Sequence, residues 1–259
     1  MRRTHRRRCH PPVQHPARLS TGLRVTPTLI FLPGWAYQPT LWDTLRATLS
    51  EFPSYAPELP MHAGGLECWA DTLAGKLPEN ALLVGWSLGA MIALVLAALH
   101  PEKVRGLYLI GATPRFVTTP DWPHGLDAST VSAFLRGFSS SPERTLQRFL
   151  TLQVLGDARR STLTPQLEAC LAKATEPGLD EGLQQLERAE LRPLLAHVRQ
   201  PVYLLHGNRD ALMPVGAAKW LAAQLPTAKL ETLAEAGHAP LFDQIPELAR
   251  RIRNFANAR

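Results

Sequence analysis

Ser87 stands between two glycines in Gly85-Trp86-Ser87-Leu88-Gly89, inside an otherwise apolar run over residues 81–94. A lone hydroxyl there is either an ordinary turn serine or a nucleophile. An apolar strand before it and a helix after it give the G-x-S-x-G spacing a mechanical meaning. The glycines let the chain turn sharply, and the turn presents Oγ at the carboxyl end of the strand. A serine hydroxyl needs a base, and the base needs an acid to orient it. His238 lies in a loop framed by Gly237 and Pro240, and Asp210 follows an apolar strand pattern. Serine, then aspartate, then histidine is the chain order that suits such an elbow. Asp210 also reads as a turn aspartate or a helix cap. Asp243 is a second acid, but it is too near His238 in sequence for the usual arrangement. Two backbone donors are needed for the developing oxyanion. Leu88 N–H, directly after the nucleophile, is one. Trp35 N–H is the other, in a loop where Gly34 lets the backbone approach a substrate. Trp35 and Trp86 read both as core tryptophans and as walls of an acyl pocket. The chemistry expected is acyl transfer to Ser87 followed by hydrolysis.

These residues need a scaffold that holds three loops at one edge. The stretches TPTLIFLPGW, ALLVGW, VRGLYLIGATP and PVYLLHGNRD are apolar runs ending at turn residues, and they read as buried strands. The stretch TLWDTLRATLSEF, residues 88–104, AAKWLAAQLP and IPELARRIRNFANA have helical spacing, and AKLETLAEAGHAP reads as a short strand and loop. Alternating strands and helices predict an α/β fold: a mostly parallel central sheet with helices on both faces. Residues 114–191 break this rhythm with helical patterns and no convincing strand. They are expected to form a helical lid inserted between two strands, within a domain over residues 25–259.

The net charge of +6 is concentrated in a tail. Residues 1–24 hold seven arginines and no acid; without them, 21 basic residues face 22 acidic ones. Such a tail could bind nucleic acid or anionic lipid. A disordered extension, or a start codon assigned too early, is the preferred reading, because the tail has no apolar pattern. Neither nucleic acid nor membrane is therefore expected as a partner. The tail lacks the apolar stretch of a secretory signal, and no apolar run reaches the ~18 residues that span a bilayer. Three scattered cysteines and the absence of an HExxH spacing argue against a disulfide framework and a metal site. A cytoplasmic monomer without cofactor is expected. His62 reads as a residue at a pocket mouth, and His206 as a satisfied core residue within a strand.

The motifs GWSLGAMIAL, GNRDALMP and GHAPLFDQIPE resemble the α/β-hydrolase superfamily over nearly all of the chain after the tail. Within it, LPGWAYQPTLW, LVGWSLGA, ATPRFVTTPDWP and SPERTLQRFLTLQVLGD resemble the pimeloyl-acyl carrier protein methyl ester esterases of biotin synthesis. The resemblance implies a serine carboxylesterase that removes the methyl group from a pimeloyl chain attached to acyl carrier protein. It implies Ser87, Asp210 and His238 as triad, Trp35 and Leu88 as oxyanion donors, and Phe149 facing the acyl channel. It also implies that lid arginines engage the acidic carrier. Arg144 and Arg148, four apart on one helix face, match that motif directly, and Arg159 lies in a shorter loop. For each of them a merely solvated helix face stays open. Two departures stand out: Pro33-Gly34 replaces the family's His-Gly, and ELPMHAG replaces a DLPGFG-like loop. The family's leading strands have no evident counterpart in the tail. The triad alone does not separate this reading from a general short-acyl esterase, a thioesterase or a carbon–carbon bond hydrolase of the same fold.

Overall fold

The computed structural model describes residues 26–242 and 244–258. The basic segment 1–24 and Asp243 lie outside the described residues. Six parallel strands form one sheet in the order β2-β1-β3-β4-β5-β6. They are β1 (Leu29–Leu32), β2 (Ser54–Tyr55), β3 (Ala81–Trp86), β4 (Val104–Ile110), β5 (Val202–Gly207) and β6 (Ala228–Leu233). Every residue of β1 and β3 is buried. A strand buried on both faces needs cover on both, which is why these segments read as unbroken apolar runs.

That cover comes from helices between the strands. The helix α1 (Asp43–Thr48) packs with the C-terminal helix, and α2 (Gly65–Ala74) packs on α3 (Leu88–Leu99). All of Leu88–Ala97 is buried, so α3 carries no polar stripe; it lies between the sheet and α2. Pro101 follows directly after its cap at His100, as the His-Pro pair predicts. The expected helix over residues 40–52 is only six residues of α-helix after a 3₁₀ turn at Pro39–Trp42.

Two elements were not anticipated from sequence. β2 has two residues on the sheet edge, too few for a pattern to register. α2 opens on Gly64 and Gly65, which weaken any helix reading. Its buried Leu66, Trp69, Ala70 and Leu73 nevertheless repeat at helical spacing.

Between β4 and β5 the chain forms four helices: α4 (Ala128–Ser140), α5 (Pro142–Gln153), α6 (Arg160–Ala169) and α7 (Leu179–Arg188). Asp127 caps α4 by accepting from the Ser129 and Thr130 amides, and Pro142 opens α5. α8 (Val215–Gln224) and α9 (Ile245–Asn257) complete the fold; Phe255 of α9 rests on Tyr108 and Tyr203. No described helix is long and apolar enough to cross a membrane.

At the elbow, α3 packs closely on β1 at Gly89. A methyl built there would sit 2.2 Å from the Leu32 carbonyl oxygen and 2.5 Å from that of Pro33. Gly89→Ala is expected to destabilise the fold by about 3 kcal/mol. That corresponds to a melting temperature lower by roughly 6–12 °C. Calorimetry checks this, and an unchanged melting temperature would contradict the packing described.

Candidate active site

β3 ends at Trp86, and Ser87 takes φ 56° and ψ −118° before α3 begins. For a residue with a Cβ this is a strained backbone, costing of order 1–3 kcal/mol. The strain is held by three amide bonds: Ser87 N–H donates to Ile110 O at 3.0 Å, and Ala90 and Met91 donate to Ser87 O. The flanking glycines are required for a steric reason. A Cβ at Gly85 would lie 2.6 Å from Gly89 O, and Gly89 has no room either. Leu88 opens α3, so its N–H is among the first-turn amides that have no intrahelical acceptor.

The histidine, in the loop after β6, lies against the end of β4 beside Ser87. The His238 ring lies against Gly111, where an added Cβ would be 3.0 Å from Cε1. Its Nδ1–H donates to Asp210 Oδ2 at 2.7 Å. Both side chains are buried. Asp210 Oδ1 accepts the Leu212 and Met213 amides at 2.9 and 2.8 Å. Burial opposes the charge on Asp210, but His238, His206 and the Met213 amide outweigh it and hold the carboxyl below its ordinary range. His238 Nε2 is buried and makes no hydrogen bond among the described residues. Sequence order thus brings Ser87, Asp210 and His238 to one sheet end. Asp243, the alternative acid, lies outside the described residues.

The loop after β1 closes the other side. Gly34 sits so close to the elbow that a Cβ there would be 3.0 Å from the Trp86 ring and 3.3 Å from Ser87 Cβ. Trp35 is buried, donates Nε1–H to Leu179 O at 2.7 Å, and meets Phe149 edge-on at 4.8 Å and Phe138 at 5.7 Å. Trp86 donates Nε1–H to His238 O at 2.9 Å and packs on Tyr37. The three aromatic residues singled out from sequence therefore border this region and are at the same time core residues. Met61 and His62 line a cavity of about 850 Å³ on the outer side of the Ala36–Tyr37 loop.

The four-helix insertion is tied to both loops. Ala172 N–H donates to Ala36 O, Gln38 N–H to Cys170 O, and Trp35 to Leu179, all on the Trp35 side. On the histidine side, His238 N–H donates to Gln153 O at 3.0 Å, Ala158 N–H to Glu235 O, and Gly237 N–H to Asp157 Oδ2 at 2.6 Å. Asp157 is buried, yet hydrogen bonds from Arg159 and the Gly237 amide, with the Arg159 charge, keep its carboxyl below its ordinary range. Arg159, expected to face a carrier, thus has its guanidinium on Asp157. Arg144 and Arg148 are exposed on α5, with Arg148 over the Phe134 ring at 5.4 Å.

Sequence reasoning missed Gln153, Tyr37 and Asp157. The Gln153 amide and the Tyr37 hydroxyl are buried and lack a well-formed hydrogen bond among the described residues, though they face each other. Burial pushes the Tyr37 phenol far up. Buried polar atoms without partners are rare and mark places where a ligand or water is received. Gln153 did carry a signal: it lies one turn beyond Phe149 on the buried face of an amphipathic helix.

Asp157 titrates lower in the folded chain than in the unfolded one. The unfolded state therefore binds more protons near pH 4, and the stability Asp157 contributes is full above about pH 4 and lost as pH falls further. Asp157→Asn is expected to cost about 1–3 kcal/mol near neutral pH, with the gap to wild type closing towards pH ~3. Urea unfolding across pH reads this, and a pH-independent gap would refute it.

Residues 69–244 match the alpha/beta hydrolase fold family. The chain is 44% identical over 238 residues to the pimeloyl-[acyl-carrier protein] methyl ester esterase of Aromatoleum aromaticum, covering 86% of this chain and 95% of that one. It is 38% identical over 232 residues to the enzyme of the same name from Nitrosomonas europaea, covering 85% and 92%. Its fold superposes on an esterase from Exiguobacterium antarcticum with a TM-score of 0.77 at 19% identity, covering 89% and 91%. The chain is a carboxylic ester hydrolase of the alpha/beta hydrolase fold, and it belongs to the family of pimeloyl-[acyl-carrier protein] methyl ester esterases.

Proposed function

We propose that this chain hydrolyses the methyl ester of a pimeloyl group carried on acyl carrier protein, with Ser87, His238 and Asp210 as its triad. The observation that carries the site reading is the buried His238–Asp210 pair with a free Nε2, at the sheet end where the strained Ser87 turn stands. Ser87 Oγ attacks the ester carbonyl as His238 Nε2 takes its proton. The Trp35 and Leu88 amides stabilise the oxyanion. Collapse expels methanol, protonated by His238. Water, deprotonated by His238, then attacks the acyl-enzyme and releases Ser87 and the free carboxylate. Asp210 keeps the proton of the neutral ring on Nδ1 and stabilises the imidazolium. Trp35, Trp86 and Phe149 wall the acyl chain, and the unpartnered Gln153 and Tyr37 groups offer it hydrogen bonds.

In this reading residues 114–191 act as a lid over a domain beginning near residue 25, and α5 presents Arg144 and Arg148 to an acidic carrier. Arg159 supports the same face while it braces the histidine loop through Asp157. The reaction is placed in the cytoplasm, with the chain acting as a monomer without a cofactor.

Ser87→Ala is expected to lower methanol release by at least roughly 1,000-fold without lowering the melting temperature. Retained turnover would remove Ser87 from the mechanism. Reversing both charges with Arg144→Glu and Arg148→Glu is expected to raise KM for the carrier-bound ester by about 10-fold or more and to spare a small soluble ester. Equal effects on both substrates would refute carrier docking on α5.

A further inference from the structure

His206 is the third buried histidine-or-aspartate side chain at the end of β5, and nothing in the triad reading uses it. It lies within the strand, almost wholly shielded from solvent. Its Nε2 stands 2.6 Å from Met213 O and 3.3 Å from Asp210 Oδ2. A carbonyl oxygen can only accept, so Nε2 carries the hydrogen. Burial lowers the proton affinity of this ring, and Asp210 and the Met213 carbonyl only partly offset that. His206 is therefore a neutral ring with its hydrogen on Nε2 and its lone pair on Nδ1.

The geometry closes a small ring of contacts around the acid. Asp210 Oδ1 accepts the Met213 amide, and Met213 returns its carbonyl to His206. The same His206 Nε2 lies 3.3 Å from Asp210 Oδ2, the oxygen that receives His238, while its hydrogen goes to Met213. Without His206, the Met213 carbonyl would lose this donor, and the 210–213 turn could rock and carry the carboxylate with it. A buried apolar residue would fill the same space but would leave the Met213 carbonyl without this donor.

We propose that His206 is a positioning residue: its Nε2–H clamps the Met213 carbonyl beside Asp210 Oδ2, fixing the 210–213 turn and with it the plane of the carboxylate that orients His238. This rests on the triad reading above and deepens it. Outer groups that aim an active-site ligand typically change activity by roughly 10- to 100-fold when removed. The effect falls on kcat, because the aim of the acid matters most when His238 becomes an imidazolium.

The test uses the full chain, a p-nitrophenyl ester, and the variants His206→Phe and His206→Gln. Phe fills the volume without a donor; Gln keeps an N–H. His206→Phe is expected to lower kcat by roughly 10- to 100-fold with KM within about twofold of wild type, and His206→Gln to recover most of that loss. In proton NMR, the low-field signal of the His238–Asp210 hydrogen bond should shift or broaden in His206→Phe and persist in His206→Gln. Nitrogen-15 NMR of wild type should show His206 protonated on Nε2 alone, a readout that holds even where His206→Phe does not fold. Wild-type kcat in His206→Phe, equal losses in both variants, or a proton on Nδ1 would each overturn the proposal. Asp210→Asn separates the two levels. Its expected loss of about 10⁴-fold supports the triad. Full activity in Asp210→Asn would sink the triad reading itself, whereas an inactive Asp210→Asn beside a fully active His206→Phe would sink only the role of His206.

Discussion

The approach of α3 to the ends of β1 and β3 constrains everything else at this sheet edge. Gly89 passes so close to the Leu32 and Pro33 carbonyls that no side chain fits, and Gly85 meets Gly89 in the same way. This contact lets the chain reverse within one residue, and Ser87 takes the strained conformation that results. Nine buried apolar positions of α3 hold that strain in place, along with the glycine. A side chain at the elbow is therefore fixed by the core as well as by the residue's backbone hydrogen bonds. The same approach sets Gly34 against Ser87 Cβ, so the loop after β1 is positioned by the elbow as well.

The four-helix insertion does more than cover this edge. Its backbone grips the Trp35 loop through Cys170, Ala172 and Leu179, and the histidine loop through Gln153 and Ala158, while the Asp157 carboxylate holds Gly237. Loops are ordinarily the least constrained parts of a fold. Here both loops that flank Ser87 borrow rigidity from a segment that lies between β4 and β5 in sequence. Pro33 precedes Gly34 in this chain, and the Trp35 loop is braced by the Trp35–Leu179 and Ala36–Ala172 bonds. A movement of the insertion would loosen the histidine loop and the Trp35 loop together.

Two buried carboxylates organise the polar part of the site by the same rule. Asp210 and Asp157 each lack solvent, and each is kept ionised by backbone amides together with a histidine or an arginine. Each spends its oxygens on holding a loop: Asp210 folds the 210–213 turn on itself, and Asp157 fastens Gly237, the residue before His238. A buried anion with every oxygen satisfied is rigid, because rotating it breaks several charge-assisted hydrogen bonds at once.

The positions of Ser87, His238 and Asp210 at one sheet end were legible because each sits where a strand pattern stops at turn residues. The central strands and α3 were legible because full burial demands unbroken apolar runs. β2 was too short to show a period, and the paired glycines at the start of α2 masked a helix whose buried face was nonetheless regular. Local pattern determined which residue types stand at the end of each strand and hence the kind of chemistry available. Only the tertiary structure decided their partners: that Arg159 closes on Asp157, that Gln153 and Tyr37 face each other without a well-formed hydrogen bond among the described residues, and that a strand histidine lies beside the oxygen that receives His238. Those pairings join residues from separate elements, and packing distance, which no local pattern encodes, selects them.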